Sequence, residues 1–193
     1  MVKRLFNNAL SFIERLSLQN AWIDLRLYCV TREWRWVYFP IPFLIVLAGM
    51  VFLVRDNLSQ KKISRDLKCL TQNIYHEARG EPEAGKVAVA LVTMNRVRSQ
   101  RFPNTICEVV YEQRWDAIRH RYVGAFSWTE LESKRPLQAK DWQKAWRVAE
   151  TVYNGRQTLQ LDGVLFYHAK HIKPSWARTL KPVKKIGHHI FYK

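Results

Sequence analysis

The sequence predicts an α+β protein, mostly helical, with a small C-terminal β-sheet and one transmembrane helix ahead of it. Three observations carry that prediction. The run Trp36 to Val54 has 19 residues and no charge, enough to cross about 30 Å of hydrocarbon. Between residues 67 and 153, apolar residues recur at helical spacing. Two β-prone runs, 164–168 and 188–192, close the chain.

The totals narrow the class. With 193 residues there is room for one domain plus an appendage. Lys+Arg is 32 against 16 Asp+Glu, a formal charge of +16. That balance suits a polyanionic partner: nucleic acid, anionic lipid or an acidic wall polymer. Eight tryptophans fit membrane interfaces, sugar faces or stacked bases equally well. The cysteines, at 29, 69 and 107, form no C-x-x-C pair, so no zinc site is expected. Cys69 and Cys107 can pair if their part of the chain is exported, and stay free thiols if it is cytosolic.

In order, Leu5, Phe6, Ala9, Leu10, Phe12, Ile13 and Leu16 repeat at helical spacing within residues 1–35. This is an amphipathic helix for a membrane surface, or equally a small packed helix. For the span at 36–54, Trp34, Trp36 and Tyr38 suit one interface. Pro40 and Pro42 fall near its start, where a helix tolerates them best. No small-residue cleavage site follows Val54, which argues against a signal peptide. Arg26, Arg32 and Arg35 flank one side, and Arg55, Lys61, Lys62, Arg65 and Lys68 the other. That bias leans weakly toward a cytoplasmic C-terminal part. Residues 55–66 are polar and predict a linker.

The domain, 67–193, opens with a helix over Leu67–Arg79. Leu67, Leu70, Ile74 and Ala78 form its apolar stripe, and Glu77 falls on the stripe's edge. Gly80 offers a left-handed C-cap, and Pro82 forbids continuation. A carboxylate half turned to the core loses solvation, so its pKa rises and it becomes a usable general acid. The plainer reading is a surface residue or a partner for Arg79. Next, Ala84–Val97 carries so wide an apolar stripe that it should be the most buried helix. Phe102-Pro103-Asn104 is a turn, and Asn104 or Thr105 can cap a short helix through Tyr111. Residues 112–138 are irregular and polar, around Phe126-Ser127-Trp128. A helix over Asp141–Tyr153 ends at Asn154-Gly155. The two β-prone runs should pair, joined by the loop with Lys173-Pro174-Ser175-Trp176.

A series of segments is similar to the SleB-type cell-wall hydrolases. They are Cys69-Leu-x-x-Asn73-Ile-Tyr-His-Glu77-Ala-Arg-Gly-Glu-Pro, Gly85-x-Val-Ala-Val-Ala, Asn95-Arg-Val and Phe102-Pro-Asn-Thr-Ile-Cys107. Phe126-Ser-Trp128, Phe166-Tyr-His168, Pro174-x-Trp176 and Ile186-Gly-x-His-x-Phe-Tyr192 follow in the same order. The resemblance spans about 67–193 and leaves out residues 1–66. It implies a lysozyme-like helical fold and cleavage of peptidoglycan between N-acetylmuramic acid and N-acetylglucosamine. It implies a lytic transglycosylase that leaves a 1,6-anhydro end, with Glu77 as acid/base and no cofactor. Peptidoglycan and the inner membrane are then the partners, and no nucleic acid is expected. Its substrate also implies a periplasmic domain and a cytoplasmic N-terminus, against the weak charge bias. In an exported domain Cys69 and Cys107 are expected to pair, with Cys29 reduced on the cytoplasmic side.

Around Glu77 the expected groove is walled by Phe126–Trp128 and by the Tyr167–His168 strand. Ser127, Trp128, Tyr167 and His168 are its candidate substrate-binding residues. Each has a plainer reading in strand or core packing. Glu81 is a further candidate, to orient Arg79 or the substrate. The alternatives are a hydrolytic muramidase with a second carboxylate, such as Glu81 or Asp162, and a membrane-anchored binding protein. An amidase would want zinc, and the histidines are scattered. A binding protein has no use for a half-buried carboxylic acid at 77.

Overall fold

A computed structural model describes residues 40–117, 119–131 and 138–193. The amphipathic segment, Trp34, Trp36, Tyr38 and Cys29 lie outside the described residues. The chain divides into two units, Met1–Leu58 and Ser59–Lys193.

Helix α1 (Pro40–Ala78) starts in the first unit, at a proline, which needs no amide partner there, and runs on past Leu58. Ile41, Phe43, Leu44, Phe52 and Leu53 all stand exposed, so apolar residues cover every side of this stretch. It is long and apolar enough to cross a membrane. Residues 55–66 are helical, as part of α1. The sequence 50–79 holds no Gly or Pro, and polar residues of good helix propensity continue a helix as readily as they form a loop.

The second unit has one core. Leu67, Leu70, Ile74 and Ala78 are buried there. After Ala78 the chain leaves α1 through a tight turn, with the Glu81 N–H on the Ala78 carbonyl at 3.0 Å. Gly80 does not take the expected left-handed cap, because that turn already serves the last carbonyls. Helix α2 (Glu83–Arg98) runs through the middle, with Gly85–Thr93 buried without a break. It packs on α3 (Ile106–Val110) and on α4 (Ala139–Tyr153). Ala145, Val148, Ala149 and Val152 bury one face of α4. The Thr105 hydroxyl caps α3 by accepting the Glu108 N–H at 3.3 Å. A disulfide joins Cys69 of α1 to Cys107 of α3, with Cα atoms 5.3 Å apart. In the chain-entropy view, closing a loop of that size stabilises by about 3–4 kcal/mol.

The described residues within 112–131 are more ordered than their polarity predicts. Strands β1 (Gln113–Asp116) and β2 (Arg121–Gly124) form an antiparallel hairpin, and a 3-10 helix follows over Ser127–Glu130. Trp115 and Tyr122 sit directly opposite each other on it, rings 5.3 Å apart. Such cross-strand pairs stabilise a hairpin that buries little. The C-terminal sheet has three strands where two were expected. Its order is β3 (Phe166–Ala169), β5 (His189–Tyr192), β4 (Pro182–Ile186), antiparallel throughout. Strand β4 escapes notice in the sequence because only Ile186 of it is buried.

Gly187 makes the β4–β5 turn at φ +54°. A Cβ there would strike Glu81 Oε2 and stand 3.1 Å from Pro82 Cδ. Gly187→Ala should therefore destabilise by at least about 2 kcal/mol. A melting temperature within a degree of the parent would show that the turn is not so constrained.

Candidate active site

Glu77 stands in the last turn of α1. Its Oε2 accepts a hydrogen bond from Tyr167 Oη at 3.1 Å. The aim of Tyr167 is set from α2. Asn95 Nδ2 donates to the carbonyls of Leu161 and Val164, at 2.7 and 3.1 Å. The next residue, Arg96, donates from Nε to the Leu165 carbonyl at 2.9 Å. Two adjacent side chains thus hold the backbone that feeds β3. Pairing of Tyr167 with Phe191 of β5 completes the register.

Burial pushes the Glu77 pKa up, while the Tyr167 hydrogen bond and the Arg96 charge pull it down; burial prevails. The Tyr167 hydroxyl lies well above its ordinary value, first through burial and then through the Glu77 charge, so it serves as a donor. The Arg96 guanidinium is pinned over two rings, 5.2 Å from Phe102 and 5.4 Å from Phe126.

Beside Tyr167 opens a cleft of about 480 Å³, with Phe102, Phe166 and Trp176 as apolar lining and Arg96, Arg114 and Glu112 as polar lining. Glu112 and Arg114 meet in a fork, Nε to Oε1 at 2.9 Å and Nη2 to Oε2 at 3.2 Å. Nothing in the sequence pattern marks Arg96, Glu112 and Arg114 as site members. The nearest thing to a signal is Asn95-Arg96, a polar pair ending an otherwise buried helix.

The other expected residues lie elsewhere. His168 points to the opposite face of β3 from Tyr167, as strand alternation requires. Its Nδ1 donates to the Ala169 carbonyl at 2.8 Å, and Nε2 accepts from Tyr192 Oη at 2.9 Å. Trp128 is buried, stacks on His76 at 4.5 Å and donates to Asn73 Oδ1 at 3.4 Å. Ser127 is exposed at the start of its 3-10 helix, and Asp162 is exposed in a turn. Glu81 does not reach Arg79. Its Oε2 accepts the His188 N–H at 2.9 Å, and its Oε1 meets His188 Nδ1 at 3.0 Å. Burial raises the Glu81 pKa, but the His188 N–H, the His188 imidazole and the His189 charge outweigh it and hold the carboxyl low. Glu81 therefore braces the β4–β5 turn.

A profile of the family described as Cell Wall Hydrolase matches residues 80–192. The chain belongs to that family. The matched span begins three residues after Glu77. Among its relatives, the spore cortex-lytic enzyme of Bacillus subtilis is 47% identical over 129 residues, 66% of this chain and 37% of that protein. The Bacillus cereus enzyme is 32% identical over 129 residues, 66% of this chain and 44% of its own. The Oceanobacillus iheyensis enzyme is 29% identical over 138 residues, 71% of this chain and 45% of its own. The chain thus spans less than half the length of these relatives. Among solved structures, the catalytic domain of the germination-specific lytic transglycosylase SleB from Bacillus anthracis superposes with a TM-score of 0.50 at 32% identity. That match covers 66% of this chain and 93% of that domain.

The raised pKa of Glu77 has a consequence for stability. The folded chain keeps a proton that the unfolded chain has released, so stability falls as pH rises from about 4.5 through the folded value. Glu77→Gln should remove that fall and melt higher than the parent at neutral pH. Melting curves across about pH 4–8 check this; parallel curves for parent and variant would mean that Glu77 is ionised in the fold.

Proposed function

We propose that the chain cleaves peptidoglycan glycan strands between N-acetylmuramic acid and N-acetylglucosamine, as a membrane-anchored lytic transglycosylase. One observation carries this reading: a buried carboxyl with a raised pKa, held by a tyrosine that also lines a cleft. With Oε2 accepting from Tyr167, the acidic proton belongs on Oε1. Glu77 gives that proton to the leaving glycosidic oxygen as the bond to the muramic C1 breaks. The resulting carboxylate takes the proton of the sugar's own 6-hydroxyl as that oxygen bonds to C1. The product is a 1,6-anhydro end, no water is consumed, and Glu77 is protonated again.

One carboxylate suffices for this route, whereas a hydrolase normally needs two. The other candidates are engaged or exposed. Glu81 holds His188, Glu112 holds Arg114, and Asp162 lies in an exposed turn. Family membership and the SleB likeness support the same substrate class.

The bare apolar stretch of α1 supports an anchor in the inner membrane. The Cys69–Cys107 bridge supports an oxidising compartment for the domain. A periplasmic domain and a cytoplasmic N-terminus satisfy both. Protease added to spheroplasts should then digest the domain; protection until the membrane is opened would overturn this orientation.

Glu77→Gln keeps shape but lacks the transferable proton. It should bind wall material and cut about 10²–10⁴-fold more slowly. Glu81→Gln should lose less, since its carboxyl acts on the turn. Mass spectra of the muropeptides should show anhydro ends free of oxygen from labelled water. Full activity of Glu77→Gln would remove Glu77 as the acid, and labelled reducing ends would replace the transglycosylase with a hydrolase.

A further inference from the structure

We propose that the cleft beside Tyr167 is a carboxylate-reading subsite, which takes an acidic group of the peptides carried by the wall glycan. This rests on the proposed function and names what part of that substrate the site reads.

The cleft concentrates like charge. Arg96, Arg101 and Arg114 all line it, and Glu112 is the acidic residue among its lining. Arg96 and Arg114 stack on the same ring, with Cζ atoms 5.2 and 5.0 Å from the Phe102 centroid. Like charges placed on one ring favour an anion beside them; burial and the Arg114 charge both lower the Arg96 pKa. Glu112 offsets one of the two charges. Its fork uses Nε and Nη2 of Arg114, which leaves Nη1 outside that pair. Arg101, exposed and 5.6 Å over Phe166, has no ion pair among the described residues.

Contact with the Phe102 and Phe166 rings holds these guanidinium groups at the cleft wall. Such pinned forks match a planar carboxylate by paired hydrogen bonds. The aromatic wall of Phe102, Phe166 and Trp176 accepts the apolar faces of sugar or peptide. Tyr167 connects the two functions, since its hydroxyl bonds Glu77 and the residue lines the cleft. A strand cut at Glu77 therefore presents its neighbouring substituents to the arginines.

The test uses the full chain in detergent and two forms of the same sacculi. One form is native; in the other, carboxylates are capped as primary amides. Capping should lower kcat/KM of the parent about 10–100-fold, the worth of a charge-assisted hydrogen-bond pair. Arg101→Gln and Arg114→Gln should each raise KM on native sacculi about 10-fold with kcat nearly kept, and change little on capped sacculi. Arg147→Gln removes the same charge from the α2–α4 face and should leave every reading within about two-fold. The proposal is overturned if capped sacculi are cut as well as native ones. It is equally overturned if the arginine variants lose as much on both forms, or if Arg147→Gln matches them. Co-sedimentation of the Glu77→Gln chain separates this idea from the reaction. Preference for native over capped sacculi upholds the subsite even if the parent releases nothing, an outcome that would sink the proposed function alone. Equal sedimentation with both forms overturns the subsite.

Discussion

The site depends on keeping a carboxyl out of water. An isolated buried carboxylate is costly enough that the group neutralises instead. In the proposed reaction the neutral form is also the useful one. Tyr167 satisfies one oxygen of Glu77 without adding a charge, so the pKa stays raised. This requires β3 to arrive in one register. A slip of one residue would turn Tyr167 to the far face and bring His168 to Glu77. The grip of Asn95 and Arg96 on the Leu161, Val164 and Leu165 carbonyls opposes that slip. It also satisfies acceptors that the buried approach to β3 would otherwise strand.

Glu77 and Glu81 lie four residues apart, yet their carboxyls shift in opposite directions. Burial pushes both up. The difference is in the partners. Glu77 has a neutral hydroxyl and one distant positive charge, whereas Glu81 has a backbone N–H and two imidazoles. Glu81 is thus kept ionised and acts as a brace, with Lys86 Nζ donating to its backbone carbonyl from α2. In the proposed reaction these opposed environments divide proton transfer from support. The division is structural too, since the turn that Glu81 holds at Gly187 leads directly into β5, the partner strand of β3.

What could be read from the sequence was periodic. The Leu67–Ala78 stripe, the buried α2 and the amphipathic α4 repeat at helical spacing, and that spacing alone places Glu77 at the edge of a core. What could not be read lacked period or was long-range. Strand β4 is mostly exposed lysine and valine, and the β1–β2 hairpin gains its order from one aromatic pair on its surface. Residues 55–66 show that polarity reports exposure and leaves helix against loop undecided. The partner of Glu81 lies 107 residues away, and no local pattern announces it. The motifs also offer His168 and Trp128 for the groove; strand alternation turns His168 away from Glu77, and Trp128 is buried against His76.

The disulfide is placed where it can matter to the chemistry. Cys69 precedes Glu77 by two helical turns on α1, and Cys107 lies on α3, which ends just before Glu112. The bridge therefore ties the helix carrying Glu77 to the element that leads into the arginine cleft. Tyr111 Oη adds a second tie, donating to Gln72 Oε1 at 2.8 Å. The core between these helices is small, and a covalent bond fixes their separation where few apolar contacts are available to do so. Buried acid, tyrosine donor and cationic cleft come from four separate elements, so their mutual geometry is only as rigid as these ties. The raised pKa of Glu77 rests on burial and cannot tolerate loose walls, because any opening that admits water returns it toward its ordinary value.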